Sequence, residues 1–341
     1  MGDVEGIAVE PVTRWFQNNV ERVEPPLTFA LVAGGRSNLT YRVDDAAGGS
    51  WVLRRPPLGH LLPTAHDMAR EHRIIAALGP TPVPVPQAIG LCQDEAVNER
   101  PFYVMEFVEG HIVRTADDAR RLGLAERGVA GENLADVLAD LHAVDLEAVG
   151  LDDLGKKEAY IERQLKRWYG QWEKSKTRDL PLVDAMYKRL SDNVPEQGPA
   201  RIVHGDYRLD NCVLGDDGRV KAVLDWELCT LGDPLADVGL LNVYWSDADD
   251  AFAALLSAPT TVEGFSTRAQ ISARYAERSG RDLSQLPFYV AFGYWKLACI
   301  LEGVYARYVG GNMGRETSGF EGFAEQVTRL AEMAEAAMPA G

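Results

Sequence analysis

The amino-acid sequence predicts an α+β protein with a strand-rich first lobe and a mostly helical second lobe. Up to Gly110, short segments rich in β-branched and aromatic residues alternate with turns that contain glycine or proline, which is typical of strands. After Gly110, apolar residues recur at helical spacing over residues 117–190 and again over 235–337. We therefore predict lobes at residues 1–108 and 109–341.

The first lobe is predicted to contain five strands and one long helix. The strands are expected at residues 28–33, 39–43, 51–55, 87–92 and 101–107, after a short helix at 11–20. Gly48-Gly49 indicates a hairpin between the second and third strands. The long helix is predicted from Thr64 to Leu78, because Thr64 and Asp67 fit a capping box.

Composition limits the function classes. The net charge of -16 gives the chain no general attraction to nucleic acid or to anionic membrane. No run reaches the length of an apolar membrane span, and the acidic N-terminus lacks the apolar centre of a signal peptide. The four scattered cysteines include no CxxC pair, which argues against zinc and favours buried thiols. We expect a cytoplasmic protein with neither nucleic acid nor membrane as partner.

The segment with the most chemical content is His204 to Asn211, which reads HGDYRLDN, and Asp225 follows Asp206 by 19 residues. Phosphoryl transfer needs a carboxylate near the acceptor hydroxyl, oxygen ligands for Mg²⁺ and positive charge on the phosphates. Asp206 is the candidate to orient the hydroxyl and accept its proton. Asn211 and Asp225 are candidate Mg²⁺ ligands, because this hard cation prefers oxygen. A motif this short also arises by chance, so on its own it is a hypothesis.

The pattern HGDxxxxN followed by Asp-Trp-Glu resembles the aminoglycoside phosphotransferase and choline kinase superfamily, relatives of the protein kinases, over about residues 34–239. A closer resemblance is to the branch that is fused to, or lies beside, acyl-CoA dehydrogenases. It is carried by GGRSNLTY, WVLRRPP, AHDMAREHR, PFYVMEFVEG, RQLKRW, VHGDYRLDN and VLDWELCTLGDPLAD.

The resemblance implies a bilobal protein-kinase-like fold. The N-lobe would hold an antiparallel five-stranded sheet with one regulatory-type helix and would bind the nucleotide. The mostly helical C-lobe would hold the catalytic loop at 202–227 and the acceptor-binding region. ATP is the implied phosphate donor, with GTP as the alternative, Mg²⁺ is the implied cofactor, and a functional link to an acyl-CoA dehydrogenase is expected.

The first lobe offers an independent test of this interpretation. Met68, Glu71 and Ile75 follow helical spacing, so Glu71 is predicted to face inward, where a carboxylate needs a partner. Val52 and Arg54 share one face of the third strand, because strand side chains alternate. The resemblance implies a basic residue there that pairs with the helix glutamate and touches the phosphates, and Arg54 fits. The wider family has lysine at this position, and arginine is not an equivalent replacement. The alternative is a solvated Glu71 at the edge of the stripe.

Further nucleotide-binding positions are implied by the resemblance. A phosphate-covering turn would include Gly34, Gly35, Ser37 and Asn38, although a plain hairpin is the alternative. The adenine would meet the backbone of Glu106 and Val108, with Val52 above it and Val213 below; otherwise these valines are ordinary core residues.

Three residues near the catalytic motif are assigned structural roles. Asp237 is expected to brace the catalytic loop near His204 rather than to take part in the chemistry. His204 itself and His142 are expected to be structural.

The acceptor is the least defined part of the reaction. Residues 156–178 hold eight basic side chains against three acidic ones, and aromatic residues lie among them, which suits a phosphorylated or carboxylated ligand. A hydroxyacyl-CoA or hydroxy acid is therefore favoured, while a solvated helix face is the alternative. Two other functions stay open: phosphorylation of an aminoglycoside, and nucleotide binding by a regulatory pseudokinase, for which the arginine at position 54 is the supporting feature.

Overall fold

The computed structural model describes residues 4–32, 38–58, 66–250, 258–310 and 322–338. The chain divides into two compact units: Met1–His111 with Cys212–Gly215 and Val220–Glu227, and Ile112–Asn211 with Asp216–Arg219 and Leu228–Gly341. The first division lies three residues beyond the predicted boundary at 108–109. In addition, two later segments join the first unit, because His111 bridges to Leu214 and the Val223 amide donates to the Pro84 carbonyl.

The first unit contains the predicted five-stranded antiparallel sheet. Its strands are β1 (Thr28–Leu31), β2 (Leu39–Asp44), β3 (Ser50–Arg55), β4 (Ala88–Cys92) and β5 (Phe102–Glu106). They are arranged in the order β1-β2-β3-β5-β4, with every neighbouring pair antiparallel. β3 is therefore the central strand, and Arg54 on it lies between Thr40 of β2 and Tyr103 of β5.

Three helices accompany this sheet in the described part of the first unit: α1 (Val9–Asn19), α2 (Met68–Leu78) and α3 (Glu95–Asn98). α1 covers the core of the sheet, where Phe16 packs edge-on against Trp51 at 5.9 Å between ring centroids. Two later strands, β7 (Cys212–Leu214) and β8 (Val220–Val223), form a separate antiparallel pair.

The prediction that α2 begins at Thr64 is wrong. The helix begins at Met68, because His66 has a φ of 65° that no right-handed helix can contain, and Asp67 caps it by accepting a hydrogen bond from the Arg70 amide at 3.0 Å. Thr64 itself lies outside the described residues. The predicted inward face is confirmed, since Met68, Glu71 and Ile75 are all buried.

The second unit is mostly helical, as predicted. Its helices are α4 (Ala116–Arg121), α5 (Leu124–Ala143), α6 (Tyr160–Ser175), α7 (Pro181–Asp192), α8 (Leu235–Tyr244), α9 (Arg268–Ser279), α10 (Leu286–Val309) and α11 (Phe323–Ala337), and β6 (Arg201–Val203) pairs with β9 (Thr230–Gly232). α10 is the central helix, because the large buried cluster around Trp295 and Trp172 packs on it. Across the described ranges, no helix combines the length and apolar character needed to cross a membrane.

Candidate active site

Arg54 is the centre of a charged network in the first unit. Its Nη2 lies 2.6 Å from Asp225 Oδ1 and 3.7 Å from Glu227 Oε2, and its Nε lies 3.0 Å from Glu71 Oε2. The predicted contact between Arg54 and Glu71 is thus confirmed. The Arg54 side chain is only 12% exposed, so the three carboxylates act on its charge through little intervening water.

Glu71 is held on several sides. Besides Arg54, its carboxylate accepts hydrogen bonds from Asn38 Nδ2 at 2.9 Å and from the Tyr103 hydroxyl at 3.0 Å. Burial raises the pKa of Glu71 to about 7, against the opposing influence of Arg54 and Tyr103. Burial alone would lower the pKa of Arg54, but the surrounding Tyr103, Glu71 and Asp225 raise it. The arginine therefore stays charged at every physiological pH.

Asp225 reaches Arg54 from an unusual backbone conformation. Its φ is 63°, which lies in the left-handed region that non-glycine residues seldom occupy. The following residue, Trp226, is buried and donates its indole N–H to the Val223 carbonyl at 3.0 Å. This local anchoring maintains the turn that directs the Asp225 carboxylate to Arg54, and such strained residues concentrate at functional sites.

Sequence reasoning missed several members of this network. Asn38 was predicted to bind phosphate, but its side chain is 1% exposed and joins Glu71 to Glu227, donating to the latter at 3.2 Å. His66 in turn contacts Asn38, with 2.7 Å between Nδ1 and Oδ1. Glu227 could have been identified from the sequence, because it is the last residue of the Asp-Trp-Glu motif. Tyr103, by contrast, belongs to the network because of the register of β5 against β3, which the sequence does not indicate.

The predicted adenine positions also lie in the first unit. Val52 and Val213 are both buried, at 9% and 4% exposure. The Glu106 amide donates to the Gln87 carbonyl at 2.9 Å. By contrast, no backbone hydrogen bond to Val108 is found within the described ranges, and an unpaired backbone group of this kind can bind a ligand.

The second unit holds the first part of the predicted catalytic loop, residues 202–211. Asn211 Nδ2 donates to the Asp206 carbonyl at 2.8 Å and to the Asp206 carboxylate at 3.0 Å. The Asp206 amide donates to His204 Nδ1 at 3.2 Å, and the Asp206 side chain remains 25% exposed. The loop therefore presents a fixed carboxylate to solvent.

The backbone of this loop is fixed by Asp237, as predicted. The Asp237 carboxylate accepts from the His204 amide at 2.6 Å and from the Gly205 amide at 2.9 Å. Behind it, His142 Nε2 lies 3.4 Å from Asp237 and Nδ1 lies 2.7 Å from the Tyr275 hydroxyl. Burial lowers the pKa of His142, so its imidazole is neutral at pH 7 and its role is structural.

A small cavity of about 60 Å³ lies beside the catalytic loop within the second unit. Two arginines that sequence reasoning missed, Arg114 and Arg208, lie on its wall together with Asp210 and Tyr244. Arg208 is held in place, since its Nη2 lies 2.9 Å from Asp210 and its guanidinium lies 4.6 Å from the Tyr244 ring centroid. The cavity thus combines apolar walls with two cationic groups.

The basic segment at 156–178 is less available than its composition indicates. Arg178 pairs with the fully buried Glu302 at 2.8 Å, and Lys176 pairs with Glu173 at 2.7 Å. The exposed members are Lys156, Lys166, Arg167, Lys174 and Lys176. Part of the charge therefore stabilises the fold.

Three predicted positions, Gly34, Gly35 and Ser37, lie outside the described residues. The two predicted Mg²⁺ ligands belong to different units, Asn211 to the second and Asp225 to the first. Their shared role stays a prediction.

Comparison with known proteins gives one family match and several similar proteins. The sequence model of the phosphotransferase enzyme family matches residues 28–270. Acyl-CoA dehydrogenase family member 10 of Mus musculus is 37% identical over 299 residues, and acyl-CoA dehydrogenase family member 11 of Gallus gallus is 36% identical over 314 residues. These matches cover 86% and 90% of this chain but 28% and 40% of the relatives. The chain spans less than half the length of the curated relatives it matches.

Solved structures agree with the predicted fold class. A protein of Ralstonia eutropha JMP134, provisionally described as an aminoglycoside phosphotransferase, is 32% identical with a TM-score of 0.80, over 96% of this chain and 97% of that chain. The GDP complex of aminoglycoside 2′-phosphotransferase-IIIa has a TM-score of 0.61 at 14% identity, over 95% and 97% of the two chains. The second likeness concerns the fold alone.

Proposed function

We propose, from the premise that this chain belongs to the phosphotransferase enzyme family, that it transfers the γ-phosphate of ATP to a hydroxyl group of a small molecule. The observation that carries the proposal is the position of Arg54, whose guanidinium contacts both the α2 glutamate and Asp225. Residues far apart in sequence thereby fix a permanent cation on the central strand, which is what a polyphosphate requires.

Each unit would supply part of the reaction. In the first unit, Arg54 would bind phosphate oxygens while Glu71 fixes its position, and the backbone of Glu106 and Val108 would bind the purine. GTP is the alternative donor, because the purine contacts would be made by backbone groups. In the second unit, Asp206 would orient the acceptor hydroxyl and accept its proton during transfer.

Each of the two proposed magnesium ligands has an oxygen atom of the kind that this cation prefers. The Asn211 amide nitrogen is committed to Asp206, so the amide oxygen is the atom left to bind a cation. Asp225 uses one carboxylate oxygen for Arg54, and its side chain is 32% exposed, which leaves the other oxygen for a metal. When bound, Mg²⁺ would neutralise phosphate oxygens.

For the acceptor, we propose a hydroxylated acyl-CoA or a related hydroxy acid. Two arginines beside the catalytic loop, Arg114 and Arg208, would attract an anionic group. The curated relatives are named acyl-CoA dehydrogenases, so the product would be passed to an enzyme of that class. Kanamycin-type polycations fit less well, because Arg114 adds positive charge to a cavity wall on which Arg208 already pairs with Asp206 and Asp210.

The test is nucleotide consumption by the purified protein with Mg-ATP and a panel of hydroxyacyl-CoAs, hydroxy acids, aminoglycosides and macrolides. We expect turnover with the anionic acceptors. The Asp206→Asn variant should lose roughly 10²- to 10⁴-fold in kcat while keeping its nucleotide affinity. The matched control is Asp152→Asn, at an exposed position, which should behave as wild type.

Two results would overturn parts of the proposal separately. Unchanged ATP consumption by Asp206→Asn would remove Asp206 from its catalytic role. Turnover with kanamycin-type acceptors but with no CoA ester or hydroxy acid would show that the acceptor class is wrong.

A further inference from the structure

Lys296 is a buried cation that the chemistry described so far does not use. It lies in α10, is 8% exposed, and is surrounded along the helix by buried residues such as Trp295 and Ala298. Removing an ammonium group from water is costly unless polar partners replace the lost hydration. An unbranched apolar residue would fill the same volume at lower cost, so the lysine requires an explanation.

The contacts of Lys296 point to the catalytic loop. Its Nζ donates to the Gly205 carbonyl at 3.0 Å and lies 5.6 Å from the Trp168 ring centroid. Among the residues that the structure describes, no carboxylate lies within ion-pair distance of Nζ. The carbonyl and the aromatic face are therefore its direct partners.

The Gly205 carbonyl belongs to the peptide group that leads into Asp206. Gly205 has a φ of 85°, and a Cβ there would lie 3.0 Å from the Leu228 carbonyl. The position is thus confined to glycine, the residue with the most backbone freedom. A freely rotating peptide at this point would swing the Asp206 side chain, so its carbonyl has to be fixed from outside the loop.

Two helices fix the loop from two directions. Asp237 of α8 accepts hydrogen bonds from the amides of His204 and Gly205. Lys296 of α10 donates to the carbonyl of Gly205. An acceptor and a donor thus hold both polar ends of the residue that precedes Asp206.

We propose that Lys296 is a positioning residue for phosphoryl transfer, which fixes the Gly205–Asp206 peptide and places a positive charge behind the Asp206 carboxylate. This inference rests on the proposed function, since it assigns Lys296 a role through Asp206. A neutral hydrogen-bond donor could also fix this peptide, but only a cation places a positive charge behind the Asp206 carboxylate.

The charges around Lys296 agree with that role. Burial lowers the pKa of Lys296, and Arg167 acts in the same direction, whereas Asp206 and Asp237 favour the protonated form. The two aspartates that flank the Gly205 peptide are therefore also the groups that stabilise the charge of the lysine. The charge of Lys296 and the position of the Asp206 carboxylate therefore depend on each other.

The test compares Lys296→Met, Lys296→Gln and Lys296→Arg with the control Lys188→Met, at an exposed position on α7. The methionine variant removes both donor and charge, glutamine restores a neutral donor, and arginine restores both. The readouts are the thermal unfolding midpoint, kcat and KM for ATP, and hydrogen–deuterium exchange of the 203–209 segment.

We expect Lys296→Met to lower kcat by about 10- to 100-fold, the value of a hydrogen bond from a charged donor, and to leave KM for ATP unchanged. Exchange at 203–209 should accelerate by a similar factor. Lys296→Arg should recover more of kcat than Lys296→Gln, and Lys188→Met should match wild type.

The proposal is overturned if Lys296→Met folds and keeps kcat and exchange within about twofold of wild type. Equal activity of Lys296→Gln and Lys296→Arg would show that the positive charge of Lys296 does not contribute to kcat. If the methionine variant does not fold, the arginine and glutamine variants still decide between these outcomes. Exchange is measured without substrate, so a wild-type protein that phosphorylates nothing would refute the proposed function while the positioning of the loop is still tested.

Discussion

The Arg54 network of the first unit and the Asp206 loop of the second unit achieve fixed geometry in opposite ways. Around Arg54, the side chains that would meet the nucleotide also hold one another, through ion pairs to Glu71 and Asp225. Around Asp206, other residues provide the support, with Asp237 and Lys296 fixing the backbone while the carboxylate stays partly exposed.

In the second unit, the residues that stabilise the loop differ from the carboxylate that would react. In the first unit, the same side chains would do both. Removing a member of the Arg54 network leaves a buried charge without its partner, which is costly to the fold. Removing the Asp206 charge alters the contacts of its carboxylate with Asn211 and Arg208. The hydrogen bonds that Asp237 and Lys296 make with the loop stay intact, because they end on backbone groups. The comparison therefore predicts different stability effects for two equally damaging active-site substitutions.

The largest expected effect comes from comparing Asp225→Asn with Asp206→Asn. Both should lower kcat by roughly 10²- to 10⁴-fold. Asp225→Asn should also lower the free energy of unfolding by about 1–3 kcal/mol, because Arg54 loses its 2.6 Å partner. Asp206→Asn should change it by no more than about 0.5 kcal/mol. Chemical denaturation monitored by circular dichroism measures both values, and an equal loss in the two variants would contradict the comparison.

A smaller effect is expected for Arg54→Lys, which introduces the residue usual in the wider family. Lysine has one nitrogen where arginine has three, so it can hold Glu71 or Asp225 closely but not both. We expect a loss of about 1–2 kcal/mol in unfolding free energy and a weaker affinity for ATP, measured by isothermal titration calorimetry. The control is Arg219→Lys, at an exposed position.

Arg54→Lys also tests the pseudokinase alternative. A gain of activity in this variant would mean that arginine restrains Asp225, and the network would then be an inhibitory arrangement. A loss of activity in proportion to the loss of ATP affinity would support a phosphate-binding role for Arg54.

How much could be predicted from the sequence also differs between the two regions. Arg54 and Glu71 were predicted as a pair because each lies in a regular element whose periodicity fixes the direction of its side chain. The start of α2 was wrong by four residues, because the positive φ of His66 leaves no signal in the hydrophobic pattern.

Residues that depend on the packing of distant elements were not predictable. Tyr103 joins the network only through strand register, and Arg114 reaches the cavity through the course of a loop. Lys296 lies 91 positions from Gly205, in a helix whose sequence shows only an apolar pattern. The local sequence around such a residue does not indicate which distant residue its side chain contacts.

The smallest expected effect concerns the support behind the Asp206 loop and appears as a pH dependence. His142 is buried and its pKa is lowered from the ordinary value of 6.5. Below pH 6.5 the unfolded chain therefore binds a proton at this residue that the folded chain does not, so stability falls as the pH falls. The contribution approaches about 1.4 kcal/mol per pH unit within that range.

His142→Gln isolates this contribution, because glutamine keeps polar contacts to Asp237 and Tyr275 but does not titrate. We expect the variant to be less stable than wild type at pH 8 and to lose less stability between pH 7 and pH 5. His111→Gln is the control, because it makes the same substitution at a histidine of the first unit. Parallel stability curves for wild type and His142→Gln would show that the imidazole is not kept neutral, and the support of the Asp206 loop would then depend on a charged pair, as that of Arg54 does.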